Sequence, residues 1–167
     1  MKSSVLMNFS VDKENNQIKV EREFAAPLTK VWAAWTESQL LDQWWAPKPW
    51  QAKTKHLDFK EGGYWLYAMV GPEGEEHWAR ADYKAITSLQ NYAAQDAFCD
   101  AEGAVNPDFP RSNWYNQFSE SGEMTLVTIT ITYDNFSDLE TVIQMGFKEG
   151  FTMGLENLDD LLASGQV

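Results

Sequence analysis

Hydrophobic and polar positions change their period along this chain, and the changes divide it into elements. Residues 5–11 and 17–25 are short apolar-rich runs around the polar stretch Asp12-Lys13-Glu14-Asn15-Asn16, which predicts a β-hairpin. In the second run Ile18, Val20, Arg22 and Phe24 alternate with Lys19, Glu21 and Glu23, the pattern of a half-buried strand. Pro27 then ends the strand, and Val31, Trp32 and Trp35 place one apolar face on a short helix over 28–35. Thr36-Glu37-Ser38-Gln39 reads as a capping box that opens a second short helix through Leu40, Leu41, Trp44 and Trp45. Pro47 and Pro49 end that helix.

Strands follow at 51–59, 64–70, 76–86, 91–99, 112–119 and 124–133. Gly62-Gly63, Gly71-Pro72-Glu73-Gly74 and Glu120-Ser121-Gly122-Glu123 supply turns between them. Residues 100–111, with Gly103, Pro107 and Pro110, read as a loop. In 124–133 Val127, Ile129, Ile131 and Tyr133 share one face, opposite Thr128, Thr130 and Thr132. Ser137-Asp138-Leu139-Glu140 reads as a second capping box. Apolar positions from 139 to 162 then fit a helical period to the end, which predicts one long helix. Runs of antiparallel strands with segregated helices predict an α+β fold. Residues 1–167 are expected to form a single domain, with 1–16 as an extra N-terminal strand or hairpin.

Charge excludes some partners. With 25 acids against 13 bases, the chain carries a formal net charge of −12. Nucleic acid and anionic membranes require a basic footprint, so neither is expected. No apolar run approaches the ~18 residues of a membrane helix, and no leader precedes the first strand, so a cytoplasmic location is expected. One Cys and two His, far apart in sequence, offer no metal-ligand spacing and no disulfide framework. No cofactor motif is present, and none is expected.

The aromatic content changes the picture more, with 8 Trp, 9 Phe and 6 Tyr. The cluster Trp44, Trp45, Trp50, Trp65, Tyr67, Trp78, Tyr83 and Trp114 can be core, or the wall of a pocket for a hydrophobic ligand. Gly146, Gly150 and Gly154 fall on one helix face, which predicts close helix-to-sheet packing or a ligand groove. His56, His77, Asp58, Asp82, Asp96 and Cys99 are the groups with catalytic potential. They carry no nucleophile elbow, metal motif, P-loop or dinucleotide fingerprint, so no catalytic residue is assigned.

Several segments, in order, resemble a known family. These are Arg22-Glu23-Phe24-Ala25-Ala26-Pro27, Val31-Trp32-Ala33-Ala34-Trp35-Thr36 and Leu41-Asp42-Gln43-Trp44-Trp45-Ala46-Pro47. They continue with Asp58-Phe59-Lys60-Glu61-Gly62-Gly63, Met69-Val70-Gly71-Pro72-Glu73-Gly74 and Asp96-Ala97-Phe98-Cys99-Asp100. They end with Met145-Gly146-Phe147-Lys148-Glu149-Gly150-Phe151 and Leu155-Glu156-Asn157-Leu158. Over residues 18–163 the chain resembles the family related to the activator of the heat-shock protein 90 ATPase, in the START-like (SRPBCC) superfamily.

The resemblance implies a helix-grip fold of the START-like or Bet v 1-like kind. A curved antiparallel sheet would wrap a long C-terminal helix, with two short helices after the first strands. It implies an apolar cavity between sheet and helix for a lipid, sterol-like or polyketide-like molecule. Some superfamily members are cyclases or hydrolases, so an enzyme acting on a hydrophobic substrate is the alternative reading, with His77 and Asp96 the groups it would need inside the cavity. Chaperone regulation is the third reading, and the separate N-terminal domain of the eukaryotic co-chaperone, for which this sequence is expected to have no room, argues against it.

Strand alternation and helix face predict the wall. It comprises Trp65, Tyr67 and Met69, then Ala81 and Tyr83, then Val127, Ile129 and Ile131, and from the helix Met145, Gly146, Gly150 and Phe151. Trp44, Trp45 and Trp50 would close the mouth, with loop 100–111 as a lid. On strand 64–70 Tyr64 and Leu66 make the outer face apolar too, which predicts cover by the N-terminal hairpin or by a second copy in a homodimer.

Overall fold

A computed structural model describes residues 6–167. The expected first strand begins at residue 5, outside the described residues. Within them the chain forms β1 (Met7–Asp12), β2 (Gln17–Phe24), α1 (Leu28–Thr36), α2 (Ser38–Trp44), β3 (Gln51–Leu57) and β4 (Tyr64–Val70). It continues with β5 (Glu76–Thr87), β6 (Asn91–Cys99), β7 (Ser112–Ser121), β8 (Met124–Tyr133), α3 (Phe136–Gln144) and α4 (Phe147–Ala163).

The strands make one eight-stranded sheet in the order β1-β2-β8-β7-β6-β5-β4-β3. Every pairing is antiparallel. Register shifts between Thr54 and His56 and between Tyr83 and Ala85 interrupt two ladders, and such irregularities add local twist to a sheet. The concave face is written by alternation. β2 presents Ile18, Val20, Arg22 and Phe24, all buried, and β8 presents Val127, Ile129, Ile131 and Tyr133. Against the β2–β8 part pack Val31 and Trp35 of α1 and Leu155 and Leu158 of α4, forming the core. A buried ion pair from Arg22 of β2 to Asp159 of α4 ties the last helix to the sheet.

Neither predicted capping box forms. Thr36 belongs to α1, where its hydroxyl donates back to the Trp32 carbonyl at 2.8 Å. The extended backbone of Glu37 (φ −109°, ψ 130°) separates the two helices, without a side-chain cap. In α3 the N-cap is Asn135, whose Oδ1 accepts from the Asp138 backbone N–H at 2.8 Å. The helix therefore opens earlier than Ser137, whose carbonyl instead accepts from the Thr141 hydroxyl.

The predicted single C-terminal helix is broken into α3 and the longer α4. Gly146 adopts φ 89°, a left-handed conformation that glycine takes without the Cβ penalty. Its N–H donates to the Ile143 carbonyl at 3.1 Å, closing the end of α3. Leu139 of α3 and Phe151, Leu155, Leu158 and Leu161 of α4 are nonetheless buried in one hydrophobic core.

Cover for the outer face of β4 comes from loop 100–111. Leu66 is buried, and a Cβ placed on Gly103 would lie 3.9 Å from its Cδ2. The loop is tied down by Arg80, which donates to the Gly103 carbonyl at 2.8 Å, and by Lys55, which donates to the Ala101 carbonyl at 2.7 Å. The N-terminal hairpin pairs at the opposite edge of the sheet, so it is not that cover.

Candidate functional site

Small residues on the middle strands decide where the concave face stays unfilled. The register aligns Tyr133 of β8, Ser112 of β7, Asp96 of β6, Ala81 of β5 and Trp65 of β4 in one cross-strand row. Asp96 therefore has only a serine and an alanine as lateral neighbours, at the ~5 Å spacing of paired Cβ atoms. The next row, Phe98, Ala79 and Tyr67, again has an alanine at its centre. Above these rows α4 contributes Gly150, where a Cβ would meet only Pro47 Cγ, at 3.7 Å. The result is a cavity of about 270 Å³ between β4–β8 on one side and α3, the Gly146 break and α4 on the other.

Its wall is largely apolar and aromatic. Trp45, Tyr67, Trp114, Tyr133, Phe147 and Phe151 provide rings, and Trp114 meets Phe151 edge to face at 5.6 Å. Two indole N–H groups of the wall are already engaged. Trp45 donates to the Tyr67 hydroxyl at 2.9 Å, and Trp114 donates to Ser112 Oγ at 3.0 Å. Burial raises the pKa of Tyr67 well above the ordinary phenol range and raises that of Tyr133, so both stay neutral hydrogen-bonding groups.

Asp96 is the exceptional group. It shares its β6 face with buried Tyr92 and Ala94, and its remaining accessible surface opens into the cavity. Burial pushes its carboxyl up to about 7, against a smaller opposing effect of the Ala97 backbone N–H and of Arg111. Asp82, on the outer face, adds to the upward push. The Arg111 guanidinium itself sits beside Asp82, at 3.5 Å. A second, smaller cavity of about 30 Å³ lies deeper, between Trp35, Trp65, Tyr83, Tyr92, Asn116 and Asp96.

The residues expected at the wall divide into three groups. Trp45, Tyr67, Met69, Met145, Gly146, Gly150 and Phe151 line the main cavity. Trp65, Ala81 and Tyr83 line the smaller, deeper one. Val127, Ile129 and Ile131 are fully buried in the core beneath α1 and α4, because β8 lies on the covered side of the sheet; only its last residue, Tyr133, reaches the cavity. Trp44 is also core, its indole donating to the Ala34 carbonyl at 2.9 Å. Trp50 packs on His77 at 5.2 Å, and it is His77 that lines the wall. Of loop 100–111 only Pro110 lines the cavity.

His77, Ala79 and Tyr133 continue, at period two, the alternation already read on their strands, whereas Phe98 and Ser112 reach the wall through their cross-strand pairing with Ala79 and Tyr133. Val142 and Phe147 had no such signal, since the turn at Gly146 places them.

The glycine row also divides. Gly146 makes the break and Gly150 lines the cavity. Gly154 admits a close backbone contact, since a Cβ there would lie 3.2 Å from the Trp45 carbonyl oxygen. That close approach is to the end of α2 rather than to the sheet. Among the described residues no cluster of His, Cys, Asp and Glu could hold a metal ion, and no helix is long and apolar enough to cross a membrane.

Residues 25–163 match the family described as activator of Hsp90 ATPase homolog 1-like protein. Solved structures share the whole architecture. Protein Ms6760 from Mycobacterium smegmatis superposes with a TM-score of 0.86 at 28% identity, covering 95% of this chain and 97% of that one. A protein from Arthrobacter aurescens gives 0.89 at 25% identity, covering 95% and 92%. A protein of the same family from Silicibacter pomeroyi gives 0.71 at 22% identity, covering 88% and 97%, a likeness of fold. No curated protein matches the sequence.

Proposed function

This chain belongs to the activator of Hsp90 ATPase homolog 1-like family, and from that premise we propose that it binds a small hydrophobic molecule between its sheet and its C-terminal helices. The family commonly binds hydrophobic ligands. The observation that carries the reading is the aromatic-walled cavity of about 270 Å³. Burial of an apolar ligand there contributes about 25 cal/mol per Å² before ordering costs. Two wall indoles have their N–H groups engaged by neighbouring side chains, so these rings offer apolar surface without stranding their own polar atoms.

Native mass spectrometry of the protein purified from its own host tests this reading. The expected result is a bound hydrophobic mass in the wild type that is lost in Gly150→Leu, whose side chain would project into the cavity. Equal loading of both proteins would overturn it.

A catalytic reading has one specific support, the presence of Asp96 and His77 in the same wall. It is tested on the co-purified molecule itself. A mass change on incubation that disappears in Asp96→Asn would favour catalysis, and an unaltered molecule would leave binding alone.

A further inference from the structure

We propose that the cavity selects an apolar molecule bearing a basic nitrogen, whose ammonium group sits against the Asp96 carboxylate between the aromatic walls. The inference rests on the cavity-binding reading and adds the chemical class of the ligand. It begins from a mismatch. An ionised carboxylate in an apolar site needs a cation or several hydrogen-bond donors. Asp96 has the Ala97 backbone N–H, and its cross-strand neighbours are Ser112 and Ala81. Among the described residues no Lys or Arg lines the cavity. Arg111 is engaged beside Asp82 on the outer side of the sheet and acts on Asp96 only through space. His77 faces the cavity from β5, but it lies four residues along the strand from Ala81, the position paired with Asp96. At the ~3.4 Å rise of an antiparallel strand that is about 14 Å, too far for contact.

The surroundings favour a cation over other partners. Ring faces attract positive charge, and Trp45, Tyr67, Trp114, Tyr133 and Phe151 all line this cavity. The neutral hydroxyls of Tyr67 and Tyr133 add oxygen acceptors for ammonium hydrogens. Tyr83 and Tyr92, on the neighbouring strands, are likewise kept neutral by burial and do not compete as charges. Beyond the site, a net charge of −12 raises the local concentration of cations and opposes entry of an anionic amphiphile. Ser112 and Ala81 leave the space beside Asp96 that the nitrogen requires.

The pH dependence follows from the same groups. Asp96 has its carboxyl pushed up to about 7, and an ammonium partner favours the ionised form. Amine affinity therefore rises as pH increases through that value, by about thirtyfold between pH 5.5 and 8. A neutral ligand that accepts a hydrogen bond from the protonated acid would show the opposite trend.

Isothermal titration calorimetry with n-octylamine, 1-octanol and octanoate at pH 7.5 tests the proposal. The expected result is at least tenfold tighter binding of the amine than of the alcohol, with octanoate weakest. Asp96→Asn, checked for an unchanged circular dichroism spectrum, should abolish the preference while retaining the alcohol. In the wild type the amine affinity should rise with pH as above, a readout that does not depend on any variant folding. Equal or tighter binding of the alcohol or of octanoate would overturn the amine assignment and leave the hydrophobic cavity reading standing. Failure of all three probes to bind would overturn both.

Discussion

The indole N–H of Trp45, from the end of α2, donates to the hydroxyl of Tyr67 on β4 at 2.9 Å. This bond joins the short-helix plug to the sheet and sets one edge of the cavity wall. Tyr67 is further held by stacking on Trp65, with centroids 3.9 Å apart. Tyr67→Phe keeps the ring and removes the acceptor, leaving a half-buried indole N–H without its partner. Urea unfolding should show a loss of about 1 kcal/mol.

Asp96 makes stability pH-dependent. Its carboxyl is held up near 7 in the fold, above the ordinary ~3.9 of an unfolded chain. Between those values the folded state binds more protons than the unfolded state, so its stability falls as pH rises. The penalty is absent below the unfolded value and complete above about pH 7, on the order of 3 kcal/mol after allowing for solvent in the cavity mouth. Asp96→Asn should flatten the difference between denaturant midpoints at pH 5.5 and pH 8, and should be more stable than wild type at pH 8.

Arg22 and Asp159 pair between β2 and α4 with little of either side chain exposed (6% and 16%). Removing one partner strands a buried charge, whereas replacing both removes the need for the pair. Asp159→Ala should cost about 3 kcal/mol in thermal or chemical unfolding. The double replacement Arg22→Met with Asp159→Leu should recover most of that loss.

Gly150 and Gly154 should respond differently to alanine. Either replacement gains up to ~1 kcal/mol of helix propensity. At Gly150 the new Cβ meets Pro47 Cγ at an ordinary 3.7 Å, so the protein should become more stable. At Gly154 it meets the Trp45 and Trp44 carbonyl oxygens at 3.2 and 3.4 Å. The Trp44 carbonyl also accepts from Asn157, as does that of Ala46, which limits how far this backbone can give. Gly154→Ala should therefore melt below Gly150→Ala and no higher than wild type.

Much of the sheet is legible in alternation alone. Trp65, Tyr67 and Met69 share the concave face because period two requires it, and the same rule carries Ala81 to Ala79 and His77. An acid on such a face was the one local sign of an unusual site. Asp96 continues the row of Tyr92 and Ala94, where a carboxyl has no packing role. Helix ends were less legible. Thr36 and Asn135 both carry capping side chains, but Thr36 turns its hydroxyl back to Trp32 while Asn135 caps α3. The choice depends on where the neighbouring helix is forced to stop.

The amino-acid sequence by itself determined which residues face inward on β2, β4, β5 and β8, which turns take glycine, and the family to which the chain belongs. Those follow from local periods, from backbone conformations open to few residue types, and from the order of short motifs. Only the tertiary structure decided which inward residues meet a ligand-sized space and which are sealed. Ile129 and Tyr67 alternate in the same way, yet Ile129 lies beneath the helices and Tyr67 beside the gap. Strand order placed β8 on the covered side, and the turn at Gly146 set the height of α3 and α4 above β4–β7. Neither is a local property, because each depends on contacts between segments far apart in the chain.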